Sequence, residues 1–334
     1  MVPLKLMRIF VVNIGSESKK YALYEGEHEL WSVHIENRQD VLEDSKLAGA
    51  FDVIAFRIVA PGDFFRKDRV IDADYMAQLQ SARMKAPMHI NLTMAEIVSF
   101  QERFPGMRLV GISDSAFHRT IPDHARYYAL PAVDTTALEI ERFGYHGISL
   151  SSIMEVLKTQ GPIPARIIVC HLGGGSSITA IKDGKSIDTT MGMTPLSGLP
   201  MATRIGDIDP GALAYLAAMK DLRGEKLEEY LANQCGFFGV AGTNDMRELL
   251  ARESIDEHAA LALNMFVYQI QKYIGAYAAI LGGLDALIFS GTIGERSDPV
   301  KSKILAGLDL RGAHSLTVPT DEMTEMARLA SSIV

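Results

Sequence analysis

Three short segments of this chain carry residue types whose spacing can do chemistry. Gly173-Gly174-Gly175-Ser176-Ser177 follows an apolar run and can turn backbone N–H groups towards a phosphate. The stretch after it, Ile178 to Ile181, reads as a strand. A Walker-type loop or a dinucleotide fingerprint must open a helix, so neither fits. Glycines at a tight hairpin need no ligand, and the run alone leaves both readings open. Thr203 to Pro210 sets Arg204 beside Asp207 and Asp209. Asp209 and Pro210 suit the N-cap and first position of a helix, which gives Arg204 no structural reason to be there. Ser290 to Glu295 follows an apolar strand and leads towards a helix, a geometry that serves a nucleotide contact or a plain turn equally.

The elements that must position these segments repeat. Val11 to Ser18 is a strand entering a Gly/Ser turn, followed by a second strand through Lys20 to Tyr24 and a turn at Glu25-Gly26. Val169 to Ser177, Ile178 to Ile181 and Asp183-Gly184 do the same. Gly15 to Gly173 and Gly26 to Gly184 share one offset of 158 residues, the mark of a duplicated unit. Strands are expected at Phe51 to Val59, Met107 to Ser113, Ala165 to Leu172 and Ala286 to Ser290. Helices are expected at Ala73 to Arg83, Pro210 to Ala218, Glu225 to Asn233, Asp256 to Leu281 and Glu322 to Ile333. Hairpins followed by alternating strands and helices give mixed sheets covered by helices. The domain boundary is expected near Gly147 to Gly161, where Gly, Ser and Pro cluster.

A length of 334 residues accommodates about two domains. The formal net charge is −8 with no basic block, which argues against binding nucleic acid or an anionic membrane. An anionic substrate must then be met by a few individually placed cations. Cys170 and Cys235 stand apart without metal-ligand spacing, so a reducing cytoplasm is expected. Met1 to Asn13 lacks a small-residue cleavage site and reads as a first strand. Polar residues interrupt the apolar stretch Ala259 to Leu284, which reads as a buried helix.

At this point the residues carry a family resemblance. Asn13 to Lys20 resembles the opening signature of acetate kinases and related carboxylate kinases. Phe117 to Ala125 with Tyr128 to Pro131, Tyr145 to Ser149, His171 to Gly173, Asp188 to Pro210, Asp245 to Arg247, Ile293 to Glu295 and Pro319 to Glu322 follow in the family's order. The resemblance implies an α/β, duplicated, sugar-kinase and actin-like (ribonuclease H-like) fold with an interdomain cleft. Its domains would be 1–148 plus 320–334 and 149–319, the second binding nucleotide. It further implies a cytoplasmic homodimer that exchanges the γ-phosphoryl of ATP with a short carboxylate, giving ADP and an acyl phosphate, with Mg²⁺ as cofactor.

Residue by residue, the resemblance makes Arg57, Asp114, His146 and Arg204 catalytic, and places Asn13 and Glu322 at the metal. It places Ser16, Lys20, His171, Gly173, Gly174, Gly175, Asp245, Met246, Arg247, Thr292, Ile293 and Gly294 against the nucleotide. Val59, Met88, His89, Tyr145 and Pro195 would surround the acyl group, whereas His118 and His124 read as structural. The chemistry agrees with that cast. A carboxylate is already an ionised nucleophile, but two anions about 4 Å apart repel by about 4 kcal/mol at an effective dielectric near 20. Two arginines and a metal reverse that sign.

The chain also departs from the family pattern. Ala60-Pro61-Gly62 stands where His-Gly-Gly is usual, and Leu150, Gly174, Thr292 and Arg296 replace a histidine, an asparagine, a glycine and an asparagine. The segments before Arg57 and after Glu295 are short. These differences leave open a preference for propionate, butyrate or a hydroxy acid over acetate, or a nucleotide-binding sensor that has lost turnover.

Overall fold

The computed structural model of the chain describes residues 6–15, 18–36, 51–310 and 312–334. It divides into two compact units. The first comprises the chain up to Phe117 with Gly147–Ser152 and Asp321–Val334; the second comprises His118–His146 and Ile153–Thr320.

Alternation builds the first unit. Along β1 (Arg8–Ile14), Phe10 and Val12 point to one face of the sheet, while Ile9 and Val11 point to the other, as the two-residue period requires. Both faces are therefore covered. The helix Pro87–Arg103 contributes Phe100 to one core, and the closing helix Glu322–Ser331 contributes Met326, Ala327 and Ala330 to the other. The remaining strands are β2 (Lys19–Glu25), β3 (His28–Ile35), β4 (Val53–Ile58), β5 (Arg69–Val70) and β6 (Arg108–Ser113), in the order β3-β2-β1-β4-β6-β5. β1, β4 and β6 run parallel, whereas β2, β3 and β5 are antiparallel to their neighbours.

The second unit has β7 (Arg166–Leu172), β8 (Ser176–Lys182), β9 (Lys185–Thr189), β10 (Ala286–Ser290) and β11 (His314–Thr317), ordered β11-β10-β7-β8-β9. Read from the hairpin outwards, this repeats the first unit's order and polarity. The repeat extends to side chains. The Arg8 backbone N–H donates to Asp52 at 2.8 Å, and that of Arg166 donates to Asp285 at 2.9 Å; each Asp directly precedes the central parallel strand. Gly26 and Gly184 both turn at positive φ, +65° and +75°. The long helix Glu257–Leu281 lays Leu263, Phe266, Ile270 and Ile274 into the second core. Among the described residues no helix is long and apolar enough to cross a membrane.

The chain passes between the units at His146/Gly147 and Ser152/Ile153, at the edge of and within the stretch 147–161 where a boundary is expected, and that stretch is an unbroken helix, Gly147–Gln160. Ile153, Met154 and Leu157 line its buried face at helical spacing. Residues 118–146 pack with the second unit. His118 bonds Ser186 Oγ and the Tyr145 carbonyl at 2.9 Å each, and Arg142 donates to the Thr189 carbonyl at 2.7 Å. A Cβ on Gly144 would come within 2.8 Å of His118 and Thr189, so only glycine permits that approach.

Candidate active site

In the first unit three of the candidate residues lie at the carboxyl ends of three neighbouring parallel strands. Asn13 lies near the end of β1, Arg57 near the end of β4 and Asp114 just past β6. Their register (Val12 with Phe56, Arg57 with Ile112) and the Asp114 N–H to Ile58 carbonyl bond of 3.0 Å bring the three side chains together. Arg57 donates through Nη2 to Asp114 Oδ2 at 2.6 Å and through Nη1 to Asn13 Oδ1 at 3.3 Å. Glu322, in the first turn of the closing helix, joins them. It accepts from Asn13 Nδ2 at 3.0 Å, lies 3.5 Å from Arg57 Nη1, and accepts from the Ser149 hydroxyl.

Arg57 is 14% exposed and Asp114 1%. Burial works against the guanidinium charge, yet Asp114 and then Glu322 outweigh it and raise the Arg57 pKa. The two carboxylates exceed the one guanidinium, so these groups are net anionic and favour an added cation. Glu322 and the amide oxygen of Asn13 are hard oxygen donors of the kind Mg²⁺ accepts. Among the described residues no three His, Cys, Asp or Glu side chains gather as a dedicated metal cage. Mg²⁺ does not require one, because it keeps several waters and takes few protein ligands.

In the second unit the glycine run forms the β7–β8 turn. A Cβ on Gly175 would sit 3.2 Å from His146 Nε2 and 3.4 Å from Arg204 Nη1, so an imidazole and a guanidinium converge on that bare backbone. Arg204 also donates to the Pro195 carbonyl at 3.3 Å. The His146 ring is 4.4 Å from that of His171, centroid to centroid, and its Nδ1 is 3.0 Å from Ser177 Oγ. Thr292 Oγ1 lies 3.3 Å from where a Cβ on Gly173 would be, which brings the β10 end beside the glycine turn. Thr292, Ile293 and Gly294 occupy the helix Gly291–Arg296, tied back by Glu295, whose Oε1 accepts from the Gly291 and Thr320 N–H groups at 3.0 and 3.2 Å. Gly174 has open space around it.

The other candidates fall into place unevenly. Lys20 is exposed and pairs with Asn13 across β1 and β2. Asp245 caps the helix Met246–Arg252, accepting from the Arg247 N–H at 2.8 Å and gripping the exposed Arg247 guanidinium. That hydrogen-bonding guanidinium holds the Asp245 carboxyl down at about 2, and Met246 is buried. Tyr145 is 1% exposed and its hydroxyl donates to the Met193 carbonyl at 2.6 Å, a protein partner. Val59 is half-buried and Pro195 buried. Ser16 lies outside the described residues, as do the side chains of Met88 and His89. Sequence reasoning assigned no role to Ser149, Ser177 or Glu295. All three lie inside recognised motifs, but Ser149 and Ser177 bond residues far along the chain, and Glu295 joins the distant Thr320 to the nearby Gly291.

Two mixed sheets of like order and polarity, each opened by a hairpin, define the duplicated actin-like kinase fold. The chain belongs to the acetokinase family, whose model matches residues 37–330; members of that family are phosphotransferases with a carboxylate acceptor. It is 40% identical over 261 residues to an acetate kinase of Brachyspira hyodysenteriae, covering 78% of this chain and 66% of that protein. It is 34% identical to an acetate kinase of Desulfitobacterium hafniense, covering 92% and 88% respectively. A crystal structure of a propionate kinase from Francisella tularensis superposes with a TM-score of 0.88 at 29% identity, covering 98% of this chain and all of that one (100%).

Proposed function

We propose that this chain transfers the γ-phosphoryl group of Mg-ATP to a short carboxylate, acetate foremost, and catalyses the reverse reaction from ADP and acyl phosphate. The observation that carries this reading is the convergence of His146 Nε2 and Arg204 Nη1 on Gly175, a guanidinium donor beside an imidazole nitrogen that donates when it carries the ring proton.

Arg204 and Arg57 would hold the transferring phosphoryl and the carboxylate through their planar forks. Asp114 would orient Arg57 across 2.6 Å. His146 would donate to the phosphoryl oxygens, and His171 with Gly173 to Gly175 would meet the ATP phosphates. Thr292 to Gly294, with Asp245 and Arg247, would hold the adenosine. Asn13 and Glu322 would hold Mg²⁺, which when bound neutralises charge on the phosphate oxygens. No protein base is needed, because the acceptor is already ionised.

The named relatives act on acetate and a superposed structure on propionate, so both acids belong to the reading. The Tyr145 hydroxyl is already bonded to Met193, which favours a plain acyl chain over a hydroxy acid. A cytoplasmic homodimer is part of the same proposal. Exposed Leu261, Met265 and Tyr268 on the long helix, with Tyr215 and Met219, supply apolar surface for a second copy. A hydroxamate assay with Mg-ATP and acetate, propionate, butyrate and a hydroxy acid tests the activity. Turnover fastest with acetate or propionate is expected. ATP binding with no acyl phosphate from any acid would replace the enzyme with a sensor.

A further inference from the structure

His146 holds an uncommon backbone position. It precedes the helix Gly147–Gln160 at φ +60°, in the left-handed region that residues other than glycine rarely adopt. Such strain persists only where the surroundings over-determine it. Here the ring is bounded on one face by His171, with centroids 4.4 Å apart, and its two nitrogens meet different chemistry. Nδ1 lies 3.0 Å from the hydroxyl of Ser177, which is fully buried on β8. Nε2 points to the bare backbone of Gly175, the point that Arg204 Nη1 also approaches.

A guanidinium offers only donors, so an anion placed there needs a second donor, not a lone pair. A neutral imidazole has one N–H, and which nitrogen carries it is set by the bond the other makes. We propose that Ser177 is a positioning residue for the phosphoryl-transfer step: its hydroxyl donates to His146 Nδ1 and so keeps the proton on Nε2, facing the anion. With the opposite tautomer, Nδ1–H would donate to Ser177 Oγ, and the Nε2 lone pair would confront the phosphoryl oxygens. Ser177 touches no substrate in this scheme and acts through the ring. The turn explains the spacing. A side chain at Gly175 would crowd Nε2 at 3.2 Å and touch Nη1 at 3.4 Å, while Ser177, on β8 two residues further on, meets the other ring nitrogen.

This inference rests on the reading of His146 as catalytic, and one experiment separates the two. Protein carrying ¹⁵N-histidine gives long-range ¹H–¹⁵N correlations that distinguish Nε2–H, Nδ1–H and doubly protonated rings, and the His146 signals are those lost in His146→Gln. The parent is expected to show the Nε2–H pattern, and Ser177→Ala a mixture. Ser177→Ala should also lower kcat by about 10- to 100-fold, as loss of a group orienting a histidine does, with both KM values within about twofold. Ser177→Thr, which keeps the hydroxyl, should restore most of the rate, and Ser177→Cys, a weak donor, should fall between. An Nδ1–H or doubly protonated His146 in the parent, or an unchanged pattern and kcat in Ser177→Ala, overturns the inference. Retained kcat in His146→Gln instead overturns the catalytic reading of His146, whatever the tautomer.

Discussion

At the scale of the residue, each arginine is defined by what already holds it. Arg204 donates to the Pro195 carbonyl, which helps to orient its guanidinium. Arg204→Ala should lower kcat by about 10²–10³-fold, the usual cost of losing a transition-state donor. Arg204→Lys should recover only part, because an ammonium cannot make the paired contact. Steady-state kinetics in both directions measure this, and near-normal kcat for the alanine variant would remove Arg204 from the chemistry. Tyr145 carries a different expectation. Its hydroxyl is bonded within the protein, so Tyr145→Phe should cost about 1 kcal/mol of stability and change kcat/KM alike for every acid. Selective loss of a hydroxy acid would place that hydroxyl on the substrate.

At the scale of the element, the Arg204 segment is held by a carboxylate on the far side of its turn. Asp207 Oδ1 accepts from the Gly198 N–H at 2.8 Å, while Oδ2 accepts from Gln269 Nε2 at 3.1 Å and from the Tyr273 hydroxyl. Gln269 and Tyr273 lie on the helix Glu257–Leu281, so Asp207 fastens the turn to that helix. Asp207→Ala should therefore lower kcat although Asp207 is not assigned to substrate, and should expose the 198–207 segment to limited proteolysis. A variant with normal kcat and normal protection would show that the turn holds without it. The helix Glu225–Asn233 gives a pH prediction. Burial, and then Glu225, push the Glu228 carboxyl up to about 7. The folded state thus binds the proton more tightly than the unfolded chain, and its contribution is intact below about pH 4.5 and lost as pH rises through about 7. Glu228→Gln should raise Tm at pH 8 and leave it nearly unchanged at pH 4.5; equal shifts at both values would refute a titration effect.

At the scale of the whole molecule, oligomeric state is the open consequence of the exposed apolar side chains. Tyr268 is 67% exposed and Tyr215 69% exposed, on the helices Glu257–Leu281 and Pro210–Met219. Sedimentation velocity should show a dimer, and Tyr268→Glu should shift it towards monomer. A concentration-independent monomer for the parent would reject the dimer. The chain passes between its units at four places, and Asp114, His146, Ser149 and Glu322 each lie within a few residues of one.

The duplication is legible in the amino-acid sequence, because a repeated strand–turn–strand pattern with glycine at fixed spacing is a local property of the chain. So is family membership, which rests on ordered motifs, and so are the main strands, whose bounds differ from those expected by only a residue or two. Helix Gly147–Gln160 is not legible, since its glycine and serines are poor helix formers, and burial of Ile153, Met154 and Leu157 overrides that preference. Nor is the placement of residues 118–146, which depends on His118 and Arg142 finding partners far along the chain. Sequence alone determined which residue types were present to handle charge. Only the tertiary structure decided which atoms face one another: Arg57 Nη2 against Asp114, Glu322 against Asn13, and the two nitrogens of His146 turned to Ser177 and to Gly175. The reason is physical. Propensity and periodicity act over a few residues, whereas a buried hydrogen bond is fixed by packing between segments that the sequence leaves far apart.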